Sequence, residues 1–319
     1  MTGYVATLWA AACGVLALVW TVTGRGYPYG PEHSEDLAVI HLLPPAVGAP
    51  LFAAVFLAAA VLAFAMSGPH AVELRGAPRR VLLMLGWTLS FALIAVVPGA
   101  APLAITGYAP MLILGAPFGW PPDVDYGRVF GWTLQNELFA LVAGGLLAAT
   151  VYRWQRSSFR FDPARLGRWA VGVALAVPLV YALTRYAWLL GISLGMSRAT
   201  LRELRDSGAV WAGAGLATFA VVGSLLTLGL VQRWGETVPR WVPWLGGRRV
   251  PVRLAVIPAT YVAVVVLAAS VGMLANPRVL AKFGTDFWAI GPMVLWPVWA
   301  VALGAATYAY YVRRVHSAK

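Results

Sequence analysis

The sequence predicts an all-α, polytopic integral membrane protein: eight transmembrane helices arranged as two parallel four-helix repeats, with both termini cytoplasmic. Three observations carry that reading. The first is composition. Of 319 residues, 60% are hydrophobic and only 11% are charged, and the mean hydropathy of +0.74 lies outside the range of a soluble domain. The second is the set of apolar runs close to the ~20 residues that cross a bilayer. The third is an asymmetry of arginine between alternate loops.

Taken in order, the expected spans are 4–23, 45–65, 81–97, 129–151, 169–190, 210–231, 251–274 and 287–312. The first has no basic segment ahead of it and no small-residue cleavage site after it, so it reads as a retained helix. Between the third and fourth lies a further apolar run, 101–116, interrupted by Pro102, Gly107, Pro110 and Gly115 and preceded by Pro98. It reads as a short interfacial or re-entrant piece, with a ninth span as the alternative. The fourth span carries Gln135, Asn136 and Glu137 in a row, the fifth carries Arg185, and the eighth carries Trp296 and Trp299 around Pro297, deeper than an interfacial belt.

Orientation follows from the loops. One side holds 16 Lys and Arg residues, among them Arg75, Arg79, Arg80, Arg153, Arg233, Arg240, Arg248, Arg249, Arg253, Arg313 and Arg314; the other holds seven. Positive-inside topology puts the richer side in the cytoplasm of a cell that inserts the protein in its plasma membrane. The same rule accounts for the net charge of +12 without a nucleic-acid partner. The lone cysteine, Cys13, falls in the first span, so it forms no intramolecular disulfide, redox pair or thiolate metal site.

The repeat emerges when the chain is laid over itself. RGAPRRV, ending at Val81, matches LGGRRVP, with its valine at Val250; TGRGYPYG matches WLLGISLG, pairing Gly26 and Gly30 with Gly191 and Gly195; GGLLAATVYRWQR matches ALGAATYAYYVRR, pairing Thr150 with Thr307 and Arg156 with Arg313. The expected organisation is a first repeat over 1–156, an arginine-rich cytoplasmic linker over 157–168 and a second repeat over 169–319. Four spans per repeat give the halves the same direction. Similar composition of helix ends is the competing explanation of the match.

The repeat isolates two charges. Glu137 aligns with Val294 and Arg185 with Trp20, so each half contributes a charge its counterpart lacks. At 1.5 Å per residue, Glu137 lies ~12 Å and Arg185 ~8 Å from the external ends of their helices. A carboxylate inside a span costs several kcal/mol unless paired, protonated or hydrated. Glu137, Asn136 and Arg185 are therefore the candidate catalytic residues. Gln135, His41, Tyr181, Tyr186, Trp20, Trp296 and Trp299 are candidates to line the substrate site. The competing assignment has Arg185 reaching to external head groups and Glu137 acting as packing glue.

Other candidates carry less. The external segment GRGYPYGPEHSEDLAVIHLLPP gathers Glu32, His33, Glu35, Asp36 and His41, but their spacing fits no standard metal site, and a solvated loop explains them better. Asp123 and Asp125 sit among turn residues. No mid-span histidine pair, lysine, Walker motif, GxSxG, HExxH or aspartate-rich prenyl-diphosphate cluster is present. Neither a metal nor a cofactor is expected. Partners are membrane lipids and a hydrophobic small molecule, and the oligomeric state stays open.

The segments GYPYGPE, GAPFGWPP, LVQRWGETVPRWVPWLGGRRVP and LWPVWAVALGAATYAYYVRR resemble a group of multi-span membrane proteins of high-GC actinobacteria. That resemblance spans nearly the whole chain and brings no catalytic residues with it. In size, tryptophan content and one buried acid, the chain is also similar in type, without a shared motif, to membrane-bound terpene cyclases. What that similarity implies is a proton-initiated cyclisation: Glu137 protonates an alkene or epoxide and tryptophan faces stabilise the cation. Three classes stand open at this stage: an intramembrane enzyme on an isoprenoid or lipid, a small proton-coupled transporter built of two parallel repeats, and a structural or accessory membrane subunit.

Overall fold

The computed structural model describes residues 1–30, 39–68, 74–118, 126–155, 162–276, 279 and 287–316. Among them there is no β-strand, only one isolated bridge between Thr237 and Arg249. The helices are α1 (Thr2–Thr23), α2 (Pro45–Ala65), α3 (Ala77–Phe91), which runs on through a π-turn over Ala92–Val96, α4 (Ala101–Gly115), the short α5 (Tyr126–Val129), α6 (Trp132–Gln155), α7 (Pro163–Leu189), α8 (Arg198–Asp206), α9 (Ala209–Leu228), α10 (Val252–Ala275), α11 (Phe287–Val294) and α12 (Trp296–His316).

Seven helical segments among the described residues are long and apolar enough to cross a membrane: Thr2–Thr23, Pro45–Ala65, Ala77–Val96, Trp132–Gln155, Pro163–Leu189, Ala209–Leu228 and Val252–Ala275. The protein is thus a multi-pass, all-helical membrane protein. The eighth expected run, 287–312, is also helical but divided between α11 and α12 at Leu295. Pro297 explains the division, since its ring excludes the carbonyl four residues back and it has no N–H to offer. The run 101–116 forms one 15-residue helix through Pro110, ~22 Å long at 1.5 Å per residue. Helix α7 begins six residues ahead of the expected 169 because Asp162 caps it, accepting from the N–H groups of Ala164 at 2.9 Å and Arg165 at 3.2 Å, with Pro163 at the first helical position. Helix α8, read only as loop from the sequence, is capped by the Ser197 hydroxyl on the Thr200 N–H and buries Leu201.

The chain divides into two compact units, each described by itself. Unit 1 comprises Met1–Ile105, Met111–Phe159 and Val271–Asn276; unit 2 comprises Thr106–Pro110, Arg160–Ser270 and Pro277–Lys319. In unit 1, α1 packs on α2 and α6, and α6 on α3. Small residues allow the approach: Ala6, Ala10, Cys13, Gly14 and Ala17 form the buried stripe of α1, and a Cβ on Gly14 would lie 2.8 Å from the Leu57 side chain. Without a hydrophobic force between helices in lipid, close backbone packing of this kind supplies the attraction. In unit 2, α7 packs on α9, α11 and α12, and α8 on α9. Its core gathers Ala170, Val171 and Ala174 of α7 with Leu303, Ala306 and Tyr310 of α12.

Candidate functional site

Within unit 1, the polar triplet of α6 divides between two faces. Gln135 is exposed and its amide donates to the Phe130 carbonyl at 2.9 Å. Asn136 is buried, and its Nδ2 donates to the Trp132 carbonyl one turn back at 2.8 Å. Glu137 has no exposed surface. The buried face continues through Ala140, Gly144 and Leu147. At Gly144 the absence of a side chain lets the π-turn approach, for a Cβ there would lie 2.9 Å from the Cβ of Leu93. The chain then turns through Val97 and the buried Pro98, and the Gly99 N–H donates to Glu137 Oε1 at 2.9 Å. Two residues later α4 begins. A carboxyl at this point meets the electropositive, amide-bearing end of a helix, which suits an acceptor.

Aromatic rings fill the neighbouring space. The segment after α1, expected as solvated loop, instead turns inward: Tyr29 is fully buried and Pro28 and Gly30 are buried beside it. Two bonds from the start of α6 hold it there, Trp132 Nε1 donating to the Gly26 carbonyl at 2.8 Å and the Thr133 hydroxyl to the Pro28 carbonyl at 2.8 Å. Tyr29 packs on Phe52 with ring centroids 5.1 Å apart and on Tyr27 at 5.6 Å, while Trp20 meets Tyr27 at 6.1 Å and Trp132 at 6.3 Å, both edge to face. Burial holds the Tyr29 hydroxyl well above the ordinary phenol range.

Within unit 2, Arg185 is half-buried on α7. Its guanidinium lies over two rings of its own helix, Tyr181 at 4.6 Å and Trp188 at 4.1 Å from the centroids. Tyr181, a candidate lining residue, thus lies against Arg185, and Trp188 is a third member whose i, i+3 spacing was the available signal. Tyr186 faces elsewhere, its hydroxyl 2.9 Å from that of Thr218 on α9. Trp299 lines an apolar cavity of about 430 Å³ bounded by α9, α10 and α12, and Trp296 is half-buried at the start of α12. His41 lies in a 3₁₀ turn, Val39–Leu42, ahead of α2, and its side chain is outside the described residues, as are Glu32, His33, Glu35, Asp36, Asp123 and Asp125. Among the described residues no three His, Cys, Asp or Glu side chains cluster as metal ligands.

No protein-family model, curated protein or solved structure matches the chain.

Proposed function

We propose that the protein is an intramembrane enzyme acting on an isoprenoid or other lipid substrate, with Glu137 as its acid/base. The observation that carries the reading is a fully buried carboxyl on α6, the helix whose first turn holds an aromatic cluster of Trp20, Tyr27, Tyr29, Phe52 and Trp132 in place. Such a site has the parts that a proton-initiated cyclisation needs. The Glu137 carboxylic acid gives its proton to a terminal alkene or epoxide, the chain closes on the resulting cation, ring faces stabilise the charge, and loss of a proton from carbon ends the reaction. Asn136, bonded to its own helix, positions the α6 face from which Glu137 projects.

The membrane arrangement that goes with this reading is eight spans, counting α11 and α12 as the last, in two parallel repeats of a plasma-membrane protein with cytoplasmic termini. The arginine bias between loops supports the orientation. Gly26 and Gly191 share the same left-handed φ of 86°, and Thr150 and Thr307 are both buried and both donate to the carbonyl four residues back, at 2.8 and 2.7 Å. These matched positions support the repeat.

One observation favours a second reading. The Gly99 to Glu137 bond ties the start of α4 to α6, which is what a purely structural carboxyl would do. A single experiment separates the two. The full chain in nanodiscs is incubated in D₂O with linear isoprenoid alcohols, diphosphates and epoxides, and products are separated and weighed. The enzyme reading expects a cyclic isomer, with one deuterium on carbon where an alkene is protonated and none retained from an epoxide, whose deuterium sits on an exchangeable hydroxyl; either product is absent with Glu137→Gln. A Glu137→Gln protein that melts earlier, in a series where wild type forms no product, supports the structural reading.

A further inference from the structure

The cavity of unit 2 lies outside the Glu137 site and has its own chemistry. Its volume of about 430 Å³ falls within the ~300–1,000 Å³ of small-molecule sites. The wall is hydrocarbon: Leu226, Leu254, Val262, Trp299 and Leu303 among others. Its two hydroxyl-bearing residues, Ser224 and Thr227, already donate to the carbonyls of Ala220 and Gly223, each at 2.8 Å. These two hydroxyls are thus already engaged with their own helix, and an alkyl chain needs no donor.

One end of the cavity is different. Trp234, Val238 and Val250 reach it from the connector between α9 and α10, and this connector is rigidly folded. The Val238 N–H donates to the Arg248 carbonyl at 2.9 Å and the Val250 N–H to the Glu236 carbonyl at 3.0 Å. Helix α12 locks it further: the Tyr310 hydroxyl donates to the Gly235 carbonyl at 2.8 Å, Arg313 to Leu230 at 2.6 Å and Arg314 to Val250 at 2.9 Å. The connector and the first turn of α10 carry Arg233, Arg240, Arg248, Arg249 and Arg253, all exposed. Against them stands one acid, Glu236, 3.7 Å from Arg313. Trp241 and Trp244 of the same connector are 82% and 93% exposed, as befits residues that anchor at a membrane–water interface.

From this juxtaposition we propose that unit 2 binds an anionic phospholipid, with an acyl chain in the cavity and the phosphate headgroup on the arginines of the 233–253 rim. A zwitterionic lipid covers any apolar helix face equally well. The connector that lines one end of the cavity through Trp234, Val238 and Val250 carries five exposed arginines with the first turn of α10, and that local excess of positive charge is what selects a net negative headgroup.

The test uses the full chain, delipidated in detergent and offered equimolar phosphatidylglycerol and phosphatidylcholine of identical chains, with bound lipid read by native mass spectrometry. Phosphatidylglycerol adducts should exceed phosphatidylcholine adducts by about fivefold or more, and the Arg248→Gln/Arg249→Gln double variant should bring that preference close to one. Gly223 faces open space, with nothing within 4 Å of a Cβ built on it, so Gly223→Leu should fill the cavity and deplete both lipids. Where that variant is not monodisperse, Ala259→Phe serves instead. Equal retention of the two lipids, indifference to the double variant, indifference to a folded cavity-filling variant, or displacement by inorganic phosphate would each overturn the proposal.

Discussion

Glu137 in unit 1 and Arg185 in unit 2 are the two charges set within spanning helices away from the arginine-rich ends, and they are accommodated in opposite ways. Glu137 is wholly buried and takes an N–H from Gly99, 38 residues away in the chain. Arg185 is half-buried and lies over Tyr181 and Trp188, within one turn on either side of it. The difference follows from what each ion can use. An anion has to find N–H or O–H donors, and in a helix the local N–H groups are already engaged, so the donor comes from another segment. A guanidinium can use π-faces, which the same helix supplies. Burying the anion therefore links separate parts of unit 1, whereas the cation draws on two rings of its own helix.

The same contrast extends to the interiors. Unit 1 fills the space beside its charge with interlocking rings, while unit 2 leaves a hydrocarbon cavity that ends at a basic rim. The largest expected effect lies at that rim. A Cβ on Gly235 would collide with the backbone carbonyl of Gly229, which cannot swing aside, so Gly235→Ala should cost ~3 kcal/mol or more and lower the melting temperature sharply. Its counterpart in unit 1 is Gly48, where a Cβ would meet the far end of Tyr27. That ring can shift, so Gly48→Ala should cost ~1–2 kcal/mol. A thermal melt of each variant in the same detergent compares them, and equal losses would mean that the rim of unit 2 is softer than its hydrogen bonds imply.

Next come the two charges themselves. Glu137→Leu leaves the Gly99 N–H without its acceptor and should destabilise by ~2–3 kcal/mol. Arg185→Leu removes the stacking on Tyr181 and Trp188 and should cost ~1 kcal/mol. Chemical denaturation followed by intrinsic fluorescence gives the order, and a larger loss at Arg185 would reverse the contrast drawn above. A smaller effect sharpens the comparison of the halves. Gly26 and Gly191 both hold φ at 86°, a conformation that costs an L-residue ~1–2 kcal/mol. Gly26→Ala and Gly191→Ala should therefore lose similar stability, and a gap greater than ~1 kcal/mol would argue against equivalent backbone roles at these two positions.

That glycine pair also shows what the sequence could and could not convey. Apolar length locates spans because the bilayer fixes it, and the second expected span, 45–65, coincides with α2. Helix starts were harder to read where the signal was polar: Asp162 followed by Pro163 is a cap, yet the charged stretch around it resembles a linker. The inward turn at Tyr29 was hidden for another reason. Glycine and proline announce that the chain bends, and say nothing of which way. Its burial depends on Trp132 and Thr133, more than a hundred residues later. Glu137 stood out because a carboxylate is rare in such a run, whereas its partner is a backbone N–H, which no residue type advertises. The cavity of unit 2 was illegible altogether, since a void is set by how neighbouring helices diverge.

The smallest expected effect concerns the two helices that begin each half. Helix α1 starts without a side-chain cap, while α7 starts on Asp162, whose carboxylate takes the N–H groups of Arg165 and Ala164. Those two bonds hold its pKa below the ordinary carboxylate value, with the charges of Arg168 and Arg165 adding to them. The folded group thus gives up its proton more readily than the unfolded one. Its stabilisation is complete above the ordinary carboxylate pKa and fades as pH falls through the lower folded value. Asp162→Asn keeps a capping oxygen and loses that charge. Its melting temperature should sit slightly below wild type near neutrality and converge with it in acid, whereas Asp162→Ala should remain below wild type in both. Because the carboxylate is fully exposed, salt should narrow the neutral-pH gap. A gap between wild type and Asp162→Asn that widened in acid would mean that the cap at α7 works through its shape and not its charge, leaving the two helix starts more alike than their sequences suggest.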